Sequence, residues 1–289
     1  MTSPPALLIA DHGIRDEAAA EAFRAFTQEL GDGQPGLPVA GGGVGPGQPS
    51  LALAAARLVE QGATRVAVVP LGLVPDGRAH GALAAALDTA RERHPGVRFA
   101  QGAPVGTHPK LLDVLERRLA AALGEGGRTP SDRAATTVLL VGAGSTDPFG
   151  NAEVHRVARL LWEGRGFAGV EAAFAALAAP DVASGLDRCA RLGAQRVVVL
   201  PYLPFAGAVT DRVWQQAEGW ALAYPRVRVM RAEPVGAAEE LRAAVLERYA
   251  EAAAVLARQD AEAAAAFAPQ DAAGAGAPAA GPVPGEGRG

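Results

Sequence analysis

The chain has 289 residues, of which 49% are hydrophobic and 20% charged, with a net charge of −4. This is enough apolar surface for one large core or two modest ones, and it excludes a global basic field for nucleic acid or an anionic membrane. The lone cysteine, Cys189, excludes an internal disulfide framework and a multi-cysteine zinc or iron–sulfur site.

In chain order, the apolar run Ala6–Ala10 reads as a short buried strand. Glu17–Leu30 follows as a helix with Asp16 placed to cap it. Leu37–Gly43 reads as a second strand, weakened by its glycines. Pro49 and Ser50 open a helix running to about Gln61. Arg65–Val69 is a β-branched strand ended by Pro70. Ala79–Arg93 is helical, Val97–Gln101 is strand-like, and Pro109–Leu123 is a helix with proline in its first turn. Glu125–Ala135, rich in glycine, proline and charge, reads as a linker. Strands are then expected at Val138–Gly142, Val170–Phe174, Arg196–Leu200 and Val227–Arg231, and helices near Asn151–Glu163, Val182–Leu192, Thr210–Ala223 and Ala238–Ala253. Beyond about Val255 an Ala-rich stretch extends the last helix toward a Gly/Pro-rich end expected to be disordered. Such alternation predicts an α/β fold with parallel sheets covered on both faces.

The two halves repeat one another. Leu7–Asp16 recurs as Val138–Asp147, and aligning the aspartates sets an offset of 131 (147 − 16). The same offset pairs Gly62–Pro70 with Gly193–Pro201, and one residue of slippage pairs Pro104-Val105-Gly106 with Pro234-Val235-Gly236. Each copy is therefore a domain-sized unit. The expected boundaries are a first lobe over 1–124, a linker over 125–136, a second lobe over 137–254 and a tail over 255–289.

In parallel α/β sheets, ligands gather at the carboxyl ends of the strands. After the first strand stands Asp11-His12-Gly13-Ile14-Arg15-Asp16. An imidazole there can ligate a borderline metal or accept a proton, and Gly13 lets backbone approach a ligand. The plainer reading is a hydrogen-bonded His12 beside a helix cap. The second copy has Ala143 where the first has His12, so a metal site would be single and asymmetric. The loop after the third strand carries Arg78 and His80, and its counterpart carries Arg212. These arginines suit two-pronged pairing with carboxylates, and the helix-opening amides suit an anion. His108 before Pro109 reads as structural. His94 ends a helix, and His155 has no counterpart in the first copy. The run Gly41–Gly47 lacks the lysine and the spacing of nucleotide-binding loops, so no nucleotide is expected.

His12-Gly13-Ile14-Arg15-Asp16 resembles the His-Gly-Ser-Arg-Asp opening of the CbiX-type sirohydrochlorin chelatases. Gly144-Ser145-Thr146-Asp147-Pro148 with Asn151–Val154 and Ala158–Arg165 is similar to the C-terminal half of the long, two-copy cobaltochelatases, as is Val198–Leu203 with Gly207 and Asp211-Arg212. The resemblance covers roughly residues 6 to 253. It implies two chelatase-like lobes facing across a cleft, and insertion of Co(II), or alternatively Fe(II), into sirohydrochlorin without ATP. It implies metal-ligating histidines at the ends of the first and third strands of the N-terminal lobe: His12 matches the first, and His80 is expected as the second catalytic ligand through a rearranged loop, with Arg78, Gly13, Arg15 and Ser145 expected as substrate contacts. The sequence departs from the family at two points. Ungapped alignment puts Arg78 at the second histidine, two residues before His80, and the assisting glutamate would fall near Gly45, where there is none.

The partner implied is a sirohydrochlorin-type tetrapyrrole, with no nucleic acid and no membrane, and a monomer or homodimer as the assembly. The N-terminus lacks a basic segment followed by a long apolar run, and no stretch approaches the ~18–20 apolar residues of a membrane span, so a soluble cytoplasmic protein is expected. Two other readings remain open at this point. One is a non-catalytic relative that binds a tetrapyrrole or a metal. The other is a module for a different small anionic ligand, using the glycine-rich loops.

Overall fold

The computed structural model describes residues 3–11, 14, 16–44, 49–75, 77–124 and 129–266. The first half runs β1 (Ala6–Asp11), α1 (Glu17–Asp32), β2 (Val39–Gly43), α2 (Leu51–Glu60), β3 (Arg65–Pro70), α3 (Gly77–Arg93), β4 (Arg98–Gln101) and α4 (Pro109–Leu123). The second half runs α5 (Pro130–Ala134), β5 (Thr137–Gly142), α6 (Pro148–Trp162), β6 (Gly169–Phe174), α7 (Val182–Arg191), β7 (Arg196–Pro201), α8 (Ala208–Ala223), β8 (Arg228–Arg231) and α9 (Glu239–Ala266).

Two parallel four-stranded sheets form, in the orders β2-β1-β3-β4 and β6-β5-β7-β8. The α/β architecture expected from the alternation is the one observed. The central strands are apolar apart from single end residues such as Asp11, Arg65, Thr137 and Arg196, because both faces are covered. On β1, Leu7 and Ile9 point to one core while Ala6, Leu8 and Ala10 point to another, the period of two that a strand imposes. The outer face of the first sheet is covered by α2 and α3, and that of the second by α7 and α8. Between the sheets lies one shared core. It joins Phe23 and Phe26 of α1, Leu115 and Leu119 of α4, Val157 and Leu161 of α6, and Leu241 and Val245 of α9.

The two halves exchange their last helices. Helix α4 leaves its own sheet and packs on β7 and β8, while α9 packs on β3 and β4 of the first sheet. Ala252 and Leu256 of α9 are buried against Ala67 and Ala100. The Tyr249 hydroxyl donates to the Pro5 carbonyl at 2.7 Å, and Asp260 accepts from Arg65 at 3.0 Å. In return, Arg118 of α4 donates to the Val235 carbonyl at 2.8 Å. Each sheet is thus completed by a helix from the other half.

Two sequence expectations need correction or explanation. Within the segment read as a linker lies a short helix, α5, which starts with Pro130 and is capped by the Thr129 hydroxyl. Pro130 fits the first turn because that position needs no amide hydrogen. The glycine run is partly strand. A Cβ at Gly41 would lie 2.8 Å from the Phe23 ring, and one at Gly42 would lie 2.9 Å from Leu51 and Ala54. These glycines let α1 and α2 sit closely on the edge strand. Helix α9 continues to Ala266, as the Ala-rich composition suggests, and residues 267–289 lie outside the described residues.

Candidate functional site

At the carboxyl ends of the strands, loop contacts add to the shared core in joining the two halves. Asp147 caps α6, its Oδ1 accepting from the Phe149 amide at 2.9 Å. Its other oxygen, Oδ2, accepts from the Gly77 amide at 2.9 Å. Gly77 is the first residue of α3, so a carboxylate of the second lobe meets the amino end of a first-lobe helix, where a negative charge is favoured. A Cβ at Gly150 would lie 2.5 Å from the Pro75 carbonyl oxygen, so only glycine permits this approach of α6.

The converse contact runs from the first lobe to the second. Asp16 caps α1 by accepting from the Ala19 amide at 3.0 Å. The same carboxylate lies against Gly207, the residue before α8, where a Cβ would stand 2.4 Å from Asp16 Oδ1. Both aspartates that set the repeat offset cap a helix and reach the other lobe, Asp147 through a hydrogen bond and Asp16 through close packing on a glycine. Sequence shows Asp16 as a helix cap, but α6 starts three residues before the expected Asn151, so the cap at Asp147 and the contact across the lobes come from the structure.

Deeper in the same junction, Tyr202 is buried and its hydroxyl donates to the Leu73 carbonyl at 3.2 Å. Burial pushes its phenol well above the ordinary range, so it stays protonated as a donor. Phe205 packs across the lobes on Phe26 and Phe23, with ring centroids 5.7 and 6.4 Å apart. The Thr107 hydroxyl donates to the Glu153 carboxylate.

The sequence-expected site residues divide as follows. His12, Gly13 and Arg15 lie outside the described residues, as does Gly45 at the position of the family glutamate. Immediately before His12, Asp11 is 7% exposed at the end of β1, and its Oδ2 accepts from the Ile14 amide at 3.0 Å. Sequence reading passed over this buried carboxylate, although an aspartate ending an apolar strand was the available signal. Arg78 and His80 occupy the exposed first turn of α3, one and three residues past Gly77. Ser145 is built into the β5–α6 turn. Its amide donates to Asn151 Oδ1 at 2.9 Å, its carbonyl accepts from Asn151 Nδ2 at 2.8 Å, and its hydroxyl accepts from the Asp147 amide at 3.0 Å. Among the described residues, no three His, Cys, Asp or Glu side chains converge as a metal cage.

His108 is placed as the sequence suggests for a structural residue. It caps α4, with Nδ1 accepting from the Lys110 amide at 3.3 Å. That leaves Nε2 as the donor to Glu247 of α9 at 3.0 Å. The hydrogen bond from Lys110 and its charge, with the hydrogen bond from His108, hold the Glu247 carboxyl below its usual range.

Comparison with known proteins agrees with this architecture. The model of the CbiX family matches residues 6–122 and again 137–252. A protein of Priestia megaterium named sirohydrochlorin cobaltochelatase is 34% identical over 193 residues, 67% of this chain and 62% of that protein. Another from the same organism, named sirohydrochlorin ferrochelatase, is 34% identical over 162 residues, 55% of this chain and 58% of that protein. The aligned chain thus spans less than two thirds of either relative. The solved structure of SirB from Bacillus subtilis with Fe3+ superposes with a TM-score of 0.73 at 24% identity, covering 89% of this chain and 98% of that one, which establishes the shared fold. Among the described residues, no helix is long and apolar enough to cross a membrane. With a family match over both copies and the two-sheet fold, the chain belongs to the CbiX family.

Proposed function

We propose that this protein inserts a divalent metal, Co(II) or alternatively Fe(II), into sirohydrochlorin without using a nucleotide. The step would belong to cobalamin or sirohaem synthesis in the cytoplasm, carried out by a monomer or homodimer. The observation that carries this reading is the 34% identity over 193 residues to a protein named sirohydrochlorin cobaltochelatase.

In this reading the first lobe handles the metal. His12 is a ligand and the base, and His80 is the second ligand. Imidazole nitrogen suits borderline first-row metals, and a metal that must be handed on is best held by few protein ligands. A divalent metal entering the macrocycle displaces two pyrrole protons, so a nearby base must take them up. Arg78, Gly13, Arg15 and Ser145 then contact the substrate, with the arginines pairing to its carboxylates. The second lobe, with Ala143 in place of His12, shapes the wall that receives the ring. Support comes from the Asp147 contact, which holds the helix start bearing Arg78 and His80 against the second lobe.

A second reading is a relative that binds the tetrapyrrole or the metal without turnover. It is favoured by Arg78 standing at the aligned second histidine and by the lack of a glutamate near Gly45. The two readings separate when purified protein is mixed with sirohydrochlorin and Co(II) at low concentration and the absorbance change is followed. Acceleration over the spontaneous rate supports insertion. Tight binding with no acceleration supports the second reading.

A further inference from the structure

The carboxyl edge of the second sheet carries three apolar side chains turned to solvent. Phe149 in the first turn of α6 is 77% exposed, Leu177 in the loop after β6 is 75% exposed, and Val209 in the first turn of α8 is 38% exposed. Strands β6, β5 and β7 are neighbours in that order, so the loops bearing Leu177, Phe149 and Val209 lie side by side. Exposed large apolar side chains grouped on one edge mark a binding surface more than a packing accident.

Two of the three are held in place by their backbone. Leu177 has φ of +62° and sits at the centre of a three-residue γ-turn, closed by the Ala178 amide donating to the Ala176 carbonyl at 2.7 Å. A leucine in this region is strained, and such strain persists where the surroundings enforce it. The turn is pinned to the neighbouring loop by the Ala175 amide on the Gly142 carbonyl at 2.9 Å and the Ala176 amide on the Ala143 carbonyl at 3.1 Å. Phe149 is fixed by Asp147, the carboxylate that also accepts from Gly77 of the first lobe. A single side chain therefore ties this aromatic to the helix start that carries Arg78 and His80.

We infer that Phe149, Leu177 and Val209 form the face on which a planar, carboxylate-bearing macrocycle rests while its centre meets the first lobe. This deepens the proposed function and rests on it for the identity of the ligand. The chemistry of the edge favours this occupant. A tetrapyrrole offers an apolar ring face and anionic rims. Beside Val209, one helical turn on, Arg212 is exposed and makes no ion pair or hydrogen bond among the described residues. Arg78 stands on the opposite lobe. Apolar contact in the middle and a cation at either side match a disc with charged edges.

The test uses the full chain and metal-free sirohydrochlorin, with binding read from the change in macrocycle fluorescence. The variants are Phe149→Ala, Leu177→Gly, Val209→Ser and the three combined. Glycine accepts φ of +62° freely, so Leu177→Gly removes the side chain and leaves the turn intact. Phe149→Ala is expected to raise Kd about tenfold, and the triple variant more. Thermal midpoints near that of the parent show that folding is kept. Co(II) affinity measured without macrocycle should stay at the parent value, which a general collapse of the junction would not allow. Unchanged Kd in the triple variant overturns the inference. So does a triple variant that turns a dimer into a monomer without weakening macrocycle binding, because the face would then belong to a second copy. If the parent binds the macrocycle through these residues yet does not accelerate metal insertion, this face stands and the insertion reading fails. If the parent does not bind it at all, both fall.

Discussion

The Gly77 amide and the Asp147 carboxylate meet at 2.9 Å across the two lobes. The first residue of α3 is thereby held by the residue that starts α6. Asp16 approaches Gly207, the residue before α8, closely in the reverse direction, but by packing rather than by a hydrogen bond. The helix start that carries Arg78 and His80 is positioned by the lobe that lacks a histidine at the His12 position.

This arrangement separates two roles of Asp147. Asp147→Ala loses the α6 cap, with an expected stability loss of about 1 kcal/mol. It also frees Gly77 and should slow metal insertion roughly tenfold, the scale on which outer partners tune a metal site. Asp147→Asn keeps one acceptor oxygen for the cap, but its amide nitrogen cannot accept from the Gly77 amide, so it should restore most of the stability and leave the rate near that of Asp147→Ala. Urea titration and initial insertion rates measure the two effects. Parent-like rates in both variants would contradict a positioning role.

The exchange of α4 and α9 makes the halves depend on each other. Leu256 of α9 is fully buried against the first sheet, with Ala67 and Ala100 beneath it. Leu256→Ala is expected to cost about 2–5 kcal/mol. Because the site of damage lies on the first sheet, probes of both halves should unfold in one transition at lower urea. A variant that destabilises only the C-terminal helix, leaving the first half at its parent midpoint, would count against the exchange.

Acid should weaken the junction through Glu116. Burial alone would raise its pKa, but Arg133 at 2.8 Å and Arg165 at 3.1 Å hold it below the usual 4.5. A folded-state pKa below the unfolded value gives stability that is present above about pH 4.5 and lost as pH falls through the folded value. Glu116→Gln should be less stable than the parent at neutral pH and show a shallower decline in stability on acidification. Identical slopes in urea titrations across the acid range would refute this.

Cys189 is fully buried, and burial with the nearby Glu171 charge pushes its thiol to about 12. Thiolate is the reactive form, so the folded protein should resist a thiol reagent at pH 8. One equivalent should react after denaturation. Rapid labelling of the native chain would show that α7 opens far more readily than its packing implies.

The strands were legible because their physical signature is local. Ala6–Ala10 and Val138–Gly142 are apolar runs that suit a strand buried on both faces of a parallel sheet. Asp16 and Ser50 stood where the helices begin, whereas α6 starts at Pro148, before the expected Asn151. Partners were not legible. The amphipathic pattern of Pro109–Leu123 identifies an apolar face but not which sheet receives it, and the answer is the other copy's. The short helix α5 escaped notice because glycine, proline and charge dominate its surroundings. At the candidate site, the histidines are visible in sequence as chemical types. The contact from Asp147 that fixes the helix start before His80 joins residues 70 positions apart and leaves no periodic trace.

The most direct test of the central claim is the initial rate of Co(II) insertion into sirohydrochlorin, measured by absorbance for the parent and for His12→Ala at equal protein and metal. The expected result is a parent rate clearly above the spontaneous one and a loss of roughly a hundredfold or more in His12→Ala. A parent rate no faster than the spontaneous reaction, or a His12→Ala rate equal to the parent, would contradict it.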